Sequence, residues 1–274
     1  MILFRLTKKT IHKPLLKIKK MFNMKTIRLT AIMCLLLGAI VSCNKGSGNQ
    51  PSTSSTTDDA ADLVTASLSS NSTSGTTTNT DDVTASVVAK VSVDSLCGTT
   101  WTDSVNRSAS FGSAASFAYK ATHTYTLDCA TGSNGLADDS VTVNSVFSGN
   151  YSYSVLTGSY SGTATWDISG LGHGSPTLSV SGEYKRSGTF TSKSDPTFAG
   201  THSVDIVLTN LLLVKPLRII KSGTATFTIT GNTIKRGSFS YTGTIVFNGQ
   251  DNATLTINGN IYLINLATGL KRRL

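Results

Sequence analysis

Catalysis requires nucleophiles, acids or bases at defined spacings, and this sequence offers few of them. Its single glutamate, Glu183, and the aspartates Asp167 and Asp205 could supply the two carboxylates of glycoside hydrolysis, but their spacing selects no pair. The sequence has neither a G-x-S-x-G nucleophile elbow nor an H-E-x-x-H metal motif. The glycine-rich stretch 170–175 predicts a loop, because no helix follows that could bind phosphate. We therefore expect no enzymatic activity.

The histidines do not form a metal-ligand pattern. His123, His173 and His202 lie far apart, with no pair at i,i+2 or i,i+4 spacing. His123 and His202 share the parity of apolar neighbours, which predicts inward-facing, hydrogen-bonded core histidines. Asp138 and Asp139 follow a Gly/Asn loop and could bind Ca²⁺, but they lack the spacing of a calcium loop. We expect neither a metal nor a cofactor.

Positive charge is concentrated at the N-terminus. Residues 1–28 contain nine Lys/Arg and no acid, whereas 15 Lys/Arg balance 15 acids from residue 43 onward. The net charge of +9 therefore does not indicate nucleic-acid binding. Residues 24–42 have a short basic start and an apolar stretch that predict a signal peptide. Residues 1–23 are then an extension of the gene model, or alternatively a real basic amphipathic segment.

The apolar stretch ends in Ile40-Val41-Ser42-Cys43, which resembles the lipobox of bacterial lipoproteins. That resemblance implies cleavage before Cys43 and acylation of its side chain and amino group, which would hold the chain stably at a membrane. The alternative is an uncleaved signal anchor. Asn44 follows, where an Asp would favour retention in the inner membrane. We expect attachment to the outer membrane, with the periplasmic face favoured over the cell surface.

Two further cysteines remain in the exported chain. Cys34 would leave with the signal peptide and Cys43 would carry the lipid, so Cys97 and Cys129 would meet an oxidising compartment. Two such cysteines most often pair. We predict a disulfide between Cys97 and Cys129.

Residues 46–86 have the composition of a tether. They contain 20 Ser/Thr among 41 residues, and no aromatic residue, lysine or arginine. Such a segment buries too little apolar area to offset its conformational entropy. We predict a flexible tether over 43–86, with at most a transient helix from Ala60 to Leu68.

Residues 87–274 show the period-two alternation of β-strands. Thr163–Ile168 and Thr224–Ile229 are clear examples, with polar and apolar side chains on opposite faces. We predict an all-β domain: an antiparallel meander in one large twisted sheet, curled towards an open barrel, or alternatively a two-sheet β-sandwich. Turns are predicted at Thr157-Gly158, Gly231-Asn232, Asn248-Gly249 and Asn258-Gly259.

Two further patterns lie within this domain. Residues 161–189 recur in part at 222–244, which indicates a duplicated group of hairpins in one sheet. Val204–Ile220 is almost continuously apolar around Lys215-Pro216 and Arg218. It predicts two central strands joined at the proline, or an apolar surface that faces a ligand or a partner.

Several of these features together resemble one family. They are the lipobox, the Ser/Thr-rich tether, Cys97-Gly98-Thr99, Cys129, the two Ser-Gly-Thr-Ala-Thr strands and the ending from Ile257 to Leu266. In combination they are similar to surface or periplasmic lipoproteins of Bacteroidetes-type bacteria that carry a C-terminal all-β domain. The resemblance implies no particular activity. It does imply O-glycosylation at Asp-[Ser/Thr]-apolar motifs, here at Ser95, Ser104 and Ser140.

The sequence leaves three functions open. The first is a non-enzymatic, acyl-anchored envelope lipoprotein whose β domain binds a ligand or an envelope-protein partner. The second is a glycan-binding or carbohydrate-active module of a polysaccharide-uptake system, which requires a line of exposed aromatic side chains. The third is a carrier for an apolar ligand, which requires a dry cavity along Val204–Ile220. The aromatic residues that decide the second hypothesis are Trp101, Trp166, Tyr151, Tyr153 and Tyr160.

Overall fold

The structure is a computed structural model that describes residues 55–69, 75–91, 98–111, 115–128, 140–153, 155–172 and 174–274. Several predictions fall outside these ranges. They concern residues 1–42, Cys43, Ser95, Cys97, Cys129, Asp138, Asp139 and His173.

A single antiparallel sheet dominates the described residues. Its eleven strands follow one another in sequence order, and each pairs only with the strands before and after it. The predicted antiparallel meander in one sheet is therefore confirmed, and the two-sheet sandwich is wrong. The strands are β1 (Thr100–Phe111), β2 (Ala115–Asp128), β3 (Ser140–Ser152), β4 (Leu156–Ser169), β5 (Thr177–Ser192), β6 (Ala199–Val214), β7 (Ile219–Thr233), β8 (Gly237–Gly249), β9 (Asn252–Ile257), β10 (Asn260–Asn265) and β11 (Leu270–Arg273).

Two helices precede the sheet, where the sequence predicted a flexible tether. Helix α1 spans Thr57–Leu68 and helix α2 spans Thr76–Lys90. Between Ala60 and Leu68 every residue except Asp62 is buried. The tether prediction is therefore wrong for the described part of 43–86. The β domain also does not begin at residue 87, because that residue lies within α2 and is itself buried.

Several buried serine and threonine hydroxyls of the helices donate to helix carbonyls, whereas the Thr65 hydroxyl has no hydrogen-bond partner among the described residues. Ser67 Oγ donates to the Leu63 carbonyl at 2.9 Å, and Thr84 Oγ1 donates to the Thr80 carbonyl at 2.7 Å. Burying such a hydroxyl does not leave an unsatisfied donor. The serines and threonines that indicated a solvated tether are instead small side chains that fit in the buried core.

Five aspartates of the helices bind basic side chains of the sheet and its turns. The pairs are Asp58–Arg273 (3.4 Å), Asp59–Arg236 (2.9 Å), Asp62–Lys271 (3.0 Å), Asp81–Arg218 (3.1 Å) and Asp82–Arg107. Their basic partners include residues of β1 and β11, which are the two edge strands of the sheet. Because the helices contact both edges, the open sheet curves around them. This agrees with the predicted curling towards an open barrel.

Two predicted turns lie inside strands. Gly158 is the third residue of β4, and Gly231 is the third residue from the end of β7. A Cβ atom at Gly158 would lie 2.9 Å from Tyr151 Oη, and one at Gly231 would lie 2.3 Å from Phe239 Cζ. These glycines therefore admit an aromatic ring from a neighbouring strand rather than a chain reversal. The turn predicted at Asn258-Gly259 is confirmed, whereas Asn248 and Gly249 are the last two residues of β8 and the chain reverses at Gln250-Asp251 instead.

The internal repeat corresponds to two hairpins, β4–β5 and β7–β8. Trp166 and Phe227 occupy equivalent positions, and both are buried. The strand registers differ, because Ala164 pairs with Tyr184 whereas the equivalent Ala225 pairs with Ile245. Loops of different length explain this slip. It spans an even number of residues, so the same faces stay buried.

Candidate functional site

The aromatic side chains that would stack on sugar rings are not exposed. Trp166 has no accessible surface, and Tyr151, Tyr153 and Tyr160 are also buried. Trp101 is half-buried, and its ring stacks on Tyr125 with centroids 4.8 Å apart. The described residues therefore do not present the aromatic line that a glycan-binding surface requires.

The three candidate carboxylates also do not form a catalytic cleft. Glu183 and Asp205 lie beside Lys185, whose Nζ is 2.5 Å from Glu183 and 4.0 Å from Asp205. Asp167 accepts instead from the Thr142 hydroxyl at 3.2 Å. Burial and the neighbouring Glu183 raise the pKa of Asp205. The Glu183–Lys185 pair is nonetheless about half exposed, as expected for a solvated charge cluster.

The two described histidines face inward, as predicted, but only one is hydrogen-bonded. His123 Nδ1 lies 2.8 Å from Ser145 Oγ. His202 is buried, but neither of its ring nitrogens has a hydrogen-bond partner among the described residues, so the predicted hydrogen bond is not found there. Burial lowers the pKa of His123 to about 4 and that of His202 to about 3. Both are neutral at physiological pH.

A buried arginine positions helix α1. Arg186 on β5 is almost fully buried, and its Nη1 donates to the Ala66 carbonyl at 3.0 Å. Its guanidinium also lies over the rings of Tyr160 and Tyr151, at 4.3 and 4.9 Å from their centroids. The C-terminal end of a helix carries partial negative charge, which favours a cation at this point. Arg186 thus stabilises the last turn of α1 inside the sheet.

Helix α2 is held by Asn79, which contacts residues of β4 and β2. Trp166 Nε1 donates to Asn79 Oδ1 at 2.6 Å, and Asn79 Nδ2 donates to Tyr119 Oη at 3.2 Å. All three residues are buried. This network fixes the rotation of α2, so its first two turns face the end of β6 and the start of β7.

A cavity of about 610 Å³ lies between those first turns of α2 and the β6–β7 turn. Its volume falls within the range of small-molecule sites, about 300–1,000 Å³. The segment Val204–Ile220 forms β6 and β7 with Pro216 in the turn, as predicted, and it supplies one apolar wall. The apolar lining residues are Phe117, Leu211, Leu213, Leu217, Ile219, Ile220 and Leu266. The apolar-carrier hypothesis required a dry cavity along this segment; a cavity is present, but polar residues, including Gln250 and Asp251, also line it.

Ion pairs flank the cavity on two sides. Asp81 binds Arg218 of the β6–β7 turn, and the adjacent Asp82 binds Arg107 of β1. The Asp82 side chain is only 2% exposed. Burial raises the pKa of Asp82 to about 6, although the Arg107 guanidinium opposes this effect. The cavity thus has one apolar wall, and beside that wall lie two guanidinium groups, each paired with an aspartate.

The remaining predicted sites have no role in this cavity. Ser104 is exposed on β1, and Ser140 is the half-buried first residue of β3. In the ranges described, no three His, Cys, Asp or Glu side chains are grouped as a metal site. The described helices include none with the length and hydropathy needed to cross a membrane. No family model, curated protein or solved structure matches the chain.

Sequence reasoning missed the helical side of the site. Thr77, Thr78, Thr80 and Asp81 line the cavity, yet all four fall in the segment predicted to be a tether. Signals for the helices were present in the sequence. A threonine three residues before an aspartate is a capping pattern, and Ala60, Leu63 and Val64 follow it at helical spacing.

Proposed function

We propose that this protein is a non-enzymatic, acyl-anchored envelope lipoprotein whose β domain binds an apolar ligand. The cavity between α2 and the β6–β7 turn carries this proposal. The anchor on Cys43 and the outer-membrane location rest on the lipobox resemblance and on Asn44. The ligand-binding part rests on geometry alone and is independent of them.

The cavity favours an amphiphile with an extended apolar body. Leu211 and Leu213 are buried on the inner face of β6, and Ile220 adds to the same wall. Transfer of hydrocarbon from water to such a wall contributes about 0.8 kcal/mol for each buried CH₂ group. Arg107 and Arg218 line the cavity beside this wall; each is paired with an aspartate, but a guanidinium carries five N–H donors and can still contact a polar end group. A fatty-acyl compound meets both requirements.

The carbohydrate alternative loses its main support. It depended on exposed aromatic side chains, and four of the five residues concerned are buried while Trp101 stacks within the domain. No described contact favours a sugar over an acyl chain. We therefore retain only the apolar ligand.

Filling the cavity tests the proposal. Thr78→Trp introduces a large side chain into the cavity from α2, and Val88→Trp introduces the same side chain at an exposed position of that helix. Both full-length variants are titrated with the fluorescent fatty acid cis-parinaric acid, and thermal unfolding checks that they fold. We expect saturable binding by the wild type and Val88→Trp, and at least a tenfold weaker affinity for Thr78→Trp.

Two results would contradict the proposal. One is the absence of saturable binding by the folded wild-type chain. The other is equal affinity of Thr78→Trp and Val88→Trp, which would place the bound probe elsewhere.

A further inference from the structure

Three exposed apolar side chains lie together at the β6–β7 hairpin tip, which we define as residues 214–221. Leu217 is 73% exposed and Ile219 is 48% exposed, and Val214 is also exposed on the strand beside them. Val214 and Ile219 pair directly across the hairpin, so the three side chains form one patch. A patch of this kind on a turn is typical of an interaction surface.

The same tip is basic. Lys215, Arg218 and Lys221 lie within it, and residues 206–250 contain no acidic residue at all. Arg218 is paired with Asp81. Lys215 donates to the carbonyls of Leu171 and Gly172, at 3.4 and 3.1 Å, and pairs with no carboxylate of the described residues. Lys221 is exposed and likewise has no carboxylate partner within the ranges that the structure describes.

We propose that the hairpin tip inserts into an anionic lipid surface. Apolar side chains flanked by lysine and arginine match the chemistry of a membrane interface, where the apolar groups enter the acyl boundary and the cations meet lipid headgroups. An acidic protein partner would suit the lysines but would not require Leu217 to project from the turn. This proposal concerns a surface and holds whether or not the cavity binds a ligand.

The tip is continuous with the cavity. Leu217 and Ile219 belong to both, so their side chains extend from the exposed patch to the cavity lining. Insertion of the tip would bring the cavity to the headgroup region of the bilayer. An acyl compound could then pass between bilayer and cavity without crossing water.

A second exposed apolar residue supplies the matched control. Ile234, in the β7–β8 turn, is 84% exposed and lies beside Lys235 and Arg236. It does not line the cavity described above, and Arg236 is held by Asp59 and Asp195. Exposure and a neighbouring lysine are therefore shared by both turns, whereas the three-residue apolar patch is found at the hairpin tip.

Vesicle co-sedimentation tests the proposal. The chain from residue 43 onward carries Cys43→Ala, so that neither an acyl anchor nor the basic and apolar residues 1–42 contribute, and the vesicles are either phosphatidylcholine alone or phosphatidylcholine with phosphatidylglycerol. We expect binding to the mixed vesicles only. Leu217→Ser and Lys221→Glu should each weaken this binding about tenfold, whereas Ile234→Ser should leave it within about twofold.

The possible outcomes separate this proposal from ligand binding. Lack of binding to mixed vesicles, or equal loss in Leu217→Ser and Ile234→Ser, would overturn the membrane contact. Lys221 does not line the cavity, so Lys221→Glu should keep the affinity for cis-parinaric acid. Loss of vesicle binding together with unchanged probe binding in this variant would support the tip as a separate surface. Loss of probe binding would show that the variant disturbs the cavity and would refute that separation.

Discussion

Leu63 is fully buried on α1, although its segment has the composition of a solvated linker. Leu63→Ala should therefore destabilise the domain. Removing a buried leucine side chain costs about 2–5 kcal/mol, because apolar transfer energy is lost and the cavity left behind collapses only in part. For a domain of this size the melting temperature should fall by about 5–15 °C. If the segment were a tether, the same change would have no effect.

Urea unfolding of the full chain measures this effect. We expect the midpoint for Leu63→Ala to fall while the slope of free energy against urea stays constant, since the same surface becomes exposed. Val88→Ala, at a partly exposed position of α2, is the control and should change stability by about 0.5 kcal/mol or less. Coincident midpoints for wild type, Leu63→Ala and Val88→Ala would refute the buried-helix account.

Three other predictions concern protons and thiols. Burial lowers the pKa of His202 from 6.5 to about 3, so the domain loses stability as pH falls below 6.5, because only the unfolded chain binds the proton. His202→Leu should recover about 3 kcal/mol at pH 4, measured by urea midpoints across pH. The pKa of Asp82 is raised from 3.8 to about 6, so its ionisation costs stability as pH rises through that range, and Asp82→Asn should remove this component from the same midpoint curves. Cys97 and Cys129 should resist alkylation until a reductant is added, as measured by intact mass. The backbone brings their neighbours together, because Gly98 N donates to Leu127 O at 2.8 Å; Gly98 follows Cys97 directly, and Leu127 lies two residues before Cys129.

The sheet could be predicted because alternation in a half-buried strand is a local property. Thr163–Ile168 shows which face is buried without reference to any other strand, and the same holds for Thr224–Ile229. Chain reversals at glycine were less predictable. Gly158 and Gly231 have the residue type of a turn, but rings from neighbouring strands require them within β4 and β7. That requirement arises from contacts between paired strands, so the sequence around each glycine does not reveal it.

The helices could not be inferred from composition. Their serines and threonines are tolerated because the surrounding sheet excludes water and the hydroxyls bond to helix carbonyls, as Ser67 does with Leu63. Stability comes from the sheet through distant partners such as Arg186. The apolar wall of the cavity could be predicted from the apolar segment Val204–Ile220. The wall formed by α2 could not, because that helix is stabilised by its packing against the sheet.

The central claim is that an apolar ligand occupies the cavity between α2 and the β6–β7 turn. Photo-crosslinking of the full chain with a diazirine-bearing fatty acid, followed by peptide mapping, tests it most directly. The account predicts labels on residues 77–81 and 211–220, reduced by Thr78→Trp and unchanged by Val88→Trp. Labels confined to exposed residues of the opposite sheet face, such as Val146 and Val207, would contradict it.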